Sequence, residues 1–136
     1  MISNPKHGWC EFKLGNFVGH PSYLTNVPID MLESFIYYWN NSNSLSIFFD
    51  EEGSDFTLVV TPYNVYIIEE KNSAKLYVID TTAEKLTNEL INDIENDIDN
   101  WSKEFCIDED DTENKKELEN LLTKLKQIIT NRISRV

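Results

Sequence analysis

"SLSIFFDEEGSDFTLVVTPYNVYIIEEKNSAKLYVID", residues 44–80, decides the fold. Apolar and polar residues alternate through 44–50, 55–61 and 64–70, the period of two that belongs to a half-buried strand, and 75–80 continues it as a fourth. The links "EEGS", "PY" and "KNSA" are short enough for hairpins, whereas parallel pairing needs crossovers of a dozen or more residues. An antiparallel meander follows. One face collects Leu45, Ile47, Phe49, Phe56, Leu58, Val60, Val65 and Ile67. The other takes Phe48, Val59, Tyr66, Ile68, Tyr77 and Ile79, so either helices cover both faces or an aromatic platform is left for a ligand; covering is the expectation, because extra apolar surface is more often core than site.

Upstream, "WCEFKLG" (9–15) reads as a first strand, and the Gly- and Pro-rich run after it as connection, with a short strand at Phe17 and Val18. Pro28 suits the first turn of a helix, where its missing N–H costs nothing, and Asp30 and Glu33 suit the positive end of the dipole. That helix is predicted to reach Asn40, burying Met31 or Leu32, Phe35, Ile36 and Trp39. Downstream, Thr82 caps a long helix to Cys106, and another runs from Glu113 to Arg132 with Leu118, Leu121, Leu122, Leu125, Ile128 and Ile129 on one stripe. The expected class is α+β in one domain spanning 1–136: an antiparallel β-meander of four to five strands, one helix before it and a two-helix hairpin after it.

The chain has 136 residues and a net charge of −12. Residues 1–79 hold nine acids and four bases, residues 80–113 thirteen and two, residues 114–136 two and six. The middle block, at −11, therefore carries almost all the excess. Such a field repels nucleic acid and anionic membrane and speeds encounter with a basic protein. "MISNPKHGWC" lacks the apolar core of a signal peptide and no later run approaches a membrane span, so a cytoplasmic setting is expected. Cys10 and Cys106 have no C-x-x-C neighbour, which argues against a disulfide framework or zinc motif.

Within the acidic block, "NELINDIENDIDNWSKEF" (88–105) sets apolar residues at helical spacing and fills the gaps with acids. At about 100° per residue, Leu86, Leu90, Ile91, Ile94, Ile98, Trp101 and Phe105 share one arc, and Glu89, Asp93, Asp97 and Glu104 form a ribbon on its flank. Like charges four apart cost a few tenths of a kcal/mol each, and no base at helical spacing relieves Asp93 or Asp97. Solubility alone would explain a solvated acidic face. The sharper expectation is a surface for a basic partner, formed by Glu89, Asp93, Asp97 and Glu104 with the turn residues Asp108, Glu109, Asp110 and Asp111.

Catalytic signatures are thin. His7 and His20 belong to no metal-spaced cluster, and a Cys10/His20 nucleophile is disfavoured because Cys10 alternates with core positions. Gly8, Gly15, Gly19 and Gly53 form no phosphate-cradling loop. Asp108, Asp110 and Glu119 fall at the first, third and twelfth positions of a calcium loop, but Glu113 stands where glycine is required. Neither cofactor nor metal is expected.

"LGNFVGHPSYLTNVPIDMLESF", then "FFDEEGSDFTLVV", then "LINDIENDIDNWSKEF", resembles in its order small immunity proteins of bacterial polymorphic toxin and contact-dependent growth inhibition systems. The resemblance implies a non-enzymatic protein that binds a cognate toxin domain, often a basic nuclease, and occludes its active site or substrate cleft. On that footing the acids mimic nucleic acid. An acidic adaptor or chaperone of a basic client is the alternative, and an enzyme built on Glu51, Glu52 and Asp55 beside Gly53 the third possibility. The toxin's identity and the oligomeric state are not encoded in any motif.

Overall fold

The computed structural model describes residues 1–133. The α+β class holds, with two antiparallel sheets. The larger is the expected meander, β4 (Leu45–Asp50), β5 (Asp55–Val60), β6 (Val65–Glu70) and β7 (Ala74–Ile79), in sequence order. The smaller contains β1 (Ile2–Lys6), β2 (Trp9–Leu14) and β3 (Phe17–Gly19). β1 had no strand signature: "ISNPK" contains Pro5, does not alternate, and pairs with β2 through an irregularity between Ser3 and Lys6.

The two sheets meet through phenylalanines. Phe12 of β2 lies 5.0 Å from Phe56 and 5.2 Å from Phe49, and Phe17 of β3 lies 4.7 Å from Phe56. Gly19 is required at this junction, since a Cβ there would come within 2.6 Å of the Phe56 ring. α1 (Val27–Tyr37) begins at Asn26, whose side chain accepts from Ile29 N–H, and has Pro28 in its first turn as expected. It ends earlier than predicted, passing into a π-helical turn, Tyr38–Ser42, that closes on left-handed Asn43.

One long helix was expected over 82–106, and the structure corrects this. α2 (Ala83–Glu95) stops at Asn96, and α3 (Ile98–Glu104) restarts after Asp97, whose φ of −142° and ψ of 37° leave the helical region. The apolar spacing runs unbroken through Ile94, Ile98 and Trp101, which hid the break. α4 (Thr112–Ile133) then packs on α1, α2 and α3, burying Leu118, Leu122, Leu125 and Ile129. Its course is antiparallel to the preceding pair, for Lys115 bonds Asp99 and Lys126, eleven residues on, bonds Glu95.

All eight residues assigned to the inner face of the meander are buried. The assignment of β7 is corrected. Ile67 pairs with Tyr77 and Val65 with Ile79, so Tyr77 and Ile79 share the inner face, and Leu76 and Val78 share the outer one with Phe48, Val59, Tyr66 and Ile68. Covering of both faces is also corrected. Phe48, Leu76 and Val78 are 52%, 60% and 76% exposed, so the helices cover only one side.

Candidate partner-binding surface

The acids on α2 meet the N-terminal strand. Asp93 Oδ2 accepts from the Met1 ammonium at 2.8 Å and from Ile2 N–H at 3.1 Å, and Glu89 lies 3.5 Å from the same ammonium. Glu104 of α3 accepts from His7 N–H at 2.8 Å. Asp93, which looked unrelieved along the helix, is thus answered from more than ninety positions away, which no local spacing can reveal. Asp97 sits in the helix break, taking a 2.8 Å bond from Asn100 Nδ2. The ribbon is therefore two pieces, and three of its four carboxylates clasp the β1–β2 hairpin.

The turn between α3 and α4 is different. Asp108, Glu109 and Asp110 are exposed and Asp111 partly so. Asp110 accepts from Thr112 Oγ1 at 2.6 Å and Thr112 N–H at 3.0 Å, bonds that hold its carboxyl below the usual range and start α4. Beside the turn runs a groove of about 360 Å³. Its walls carry Asp108, Asp110, Glu113 and Glu117 together with Tyr23, Leu24 and Ile107, which are 46%, 58% and 86% exposed. Asn26 and Asn114 bind each other along it, and Asn114 donates to Ser102 O, so the groove has a fixed floor between α1, α3 and α4.

Tyr23, Leu24 and Ile107 were missed by sequence reasoning. They lie in connecting segments, where exposure has no periodic signature. Of the predicted site, the structure gathers Asp108 and Asp110 onto the groove, leaves Glu109 and Asp111 on the adjoining turn, and places Glu89, Asp93, Asp97 and Glu104 elsewhere along the helical layer.

His7, Cys10 and His20 line one shallow depression with Glu11 and Trp9. Burial, with a smaller contribution from the Glu11 charge, pushes the Cys10 thiol up to about 12, so it stays protonated and unreactive at neutral pH. Cys106 is at the acidic turn instead, 3.9 Å from Asp110 O. Among the described residues no group of three or more His, Cys, Asp or Glu side chains is placed to hold a metal ion. Glu51 serves as a tie, accepting from His20 N–H at 2.8 Å and Ser54 Oγ at 3.1 Å.

No known family, curated protein or solved structure matches this chain. Among the described residues no helix is long and apolar enough to cross a membrane.

Proposed function

We propose that the chain is an immunity-type protein that binds a basic toxin domain, a nuclease foremost, and occludes its active site or substrate cleft without catalysing a reaction itself. The groove at the acidic turn carries this reading. Carboxylates at Asp108, Asp110, Glu113 and Glu117 flank exposed Tyr23, Leu24 and Ile107. Acids alone mark a solvated face, but acids around apolar anchors make the central cluster and polar rim of a protein interface. A cleft built to hold phosphates presents lysines and arginines, for which these carboxylates compete.

The test is capture of a partner from the native host on the tagged chain, identification by mass spectrometry, and repetition with Asp108→Lys and Glu109→Lys together. One basic toxin domain, held tightly and released by the reversals, is expected. Retention of the same partner by the reversed chain, or a captured partner that is not basic, sinks the reading. Several basic clients held weakly would instead identify an adaptor or chaperone.

A further inference from the structure

Among the described residues no element covers the outer face of the meander, where Phe48, Leu76 and Val78 stay exposed. Phe48, Ile68 and Leu76 stand in one cross-strand row with Thr57, and Val59, Tyr66 and Val78 in the next with Ser46. Large exposed apolar patches on a sheet mark an interaction surface. What covers it is decided by charge. The row at one end is Asp50, Asp55 and Glu70. The only base in these four strands, Lys75, lies on the opposite face, over the Tyr77 ring.

Along the β4 edge an open groove of about 810 Å³ separates this face from α1. Ser46 and Val59 belong to both, and the far wall carries Asp30, Glu33 and Tyr37. No ion pair among the described residues reaches either carboxylate. Two acids beside an aromatic ring and serine hydroxyls suit a lysine or arginine head, which gains charge, hydrogen-bond and ring contacts together.

We infer that this face and its edge groove dock a partner protein whose apolar side chains cover the Phe48 and Tyr66 rows while a lysine or arginine enters between Asp30, Glu33 and Tyr37. A second copy is a poor occupant. Stacking two such faces brings together two chains that each carry −12 and no base on the face to answer it. The surface is distinct from the acidic turn, though the two adjoin: Ser22 N–H donates to Asp50 O at 2.8 Å, and the next residue, Tyr23, lines the groove at the turn. The inference stands whether or not the partner is a toxin.

The test is a low-salt NMR titration of the nitrogen-labelled chain with a synthetic peptide alternating lysine with phenylalanine and leucine, and with its glutamate counterpart. The basic peptide alone is expected to shift the amides of Phe48, Thr57, Ile68 and Glu33. Phe48→Ser with Leu76→Ser, and Glu33→Lys separately, are each expected to weaken it by about tenfold or more, with circular dichroism unchanged. Equal response to both peptides, no response, or shifts confined to residues 104–117 overturns the inference, the last leaving the acidic-turn reading intact. A concentration-dependent dimer in sedimentation that Leu76→Ser dissolves overturns it in favour of a second copy. Partner capture that survives reversal at the turn sinks the proposed function and leaves this face untouched.

Discussion

Trp101 is 1% exposed, its ring centroid lies 5.7 Å from that of Phe105, and its indole N–H donates to Asp93 O at 3.0 Å. It joins α3 to the last turn of α2 across the break, so Trp101→Ala removes both a large apolar volume and the bond that fixes the angle. A loss of about 3–5 kcal/mol is expected from urea unfolding, and unchanged stability would remove Trp101 from the core. Asp30 makes a prediction of opposite sign. Burial, then the Glu33 charge, raises its pKa above the ordinary 3.8, so the folded state binds its proton more readily than the unfolded state does. Ionised Asp30 therefore costs stability above its folded pKa, and the cost disappears as pH falls through that value to below 3.8. Asp30→Asn should raise the urea midpoint at pH 7 and lose that advantage in acid. A gain that persists unchanged at low pH would trace it to something other than this charge.

At the level of elements, Thr82 caps α2 by accepting from Lys85 N–H at 3.2 Å, and Thr82→Ala is expected to cost about 1 kcal/mol in the same unfolding measurement. An unchanged midpoint would show that tertiary packing alone holds the start of α2. This cap was legible in the sequence, as were the four-strand meander, the first turn of α1 and the buried stripe of α4, because each has a short-range signal: a side-chain acceptor, an alternation, a proline, a period. The rest lacked one. Both faces of β7 are apolar, so binary pattern could not choose between Leu76 with Val78 and Tyr77 with Ile79; the pairing Ile67 to Tyr77 chose. β1 is held by its partner strand and by Asp93, not by its own propensity. The break at Asp97 left the apolar spacing intact, and so the acidic ribbon was drawn as one piece when it is two. Of the candidate site, the turn acids were legible as composition, while the apolar walls that turn them into a groove come from loops brought together by the fold.

For the molecule as a whole, charge opposes itself. Thirteen acids against two bases occupy residues 80–113, and the ion pairs that answer them are partly exposed: Lys115 with Asp99 at 2.8 Å, Lys116 with Glu113 at 3.7 Å, Lys126 with Glu95, the N-terminal ammonium with Asp93 and Glu89. Exposed pairs are each worth about 0–1 kcal/mol, and salt weakens them. The repulsions are more numerous and act over longer distances, where a Debye length of about 10 Å at 0.1 M screens them most effectively. Repulsion should win. The melting temperature of the free chain is expected to rise between about 0.02 and 0.5 M sodium chloride, and Asp108→Lys with Glu109→Lys should flatten the rise by removing part of the repelling block. A melting temperature that falls with salt would show that the ion pairs dominate and that the acidic turn carries no electrostatic burden. If the rise is seen, the same acids set the condition under which a basic partner stabilises the chain most. Binding neutralises the block and adds its free energy to folding, so a saturating basic partner should raise the melting temperature further at low salt than at high salt.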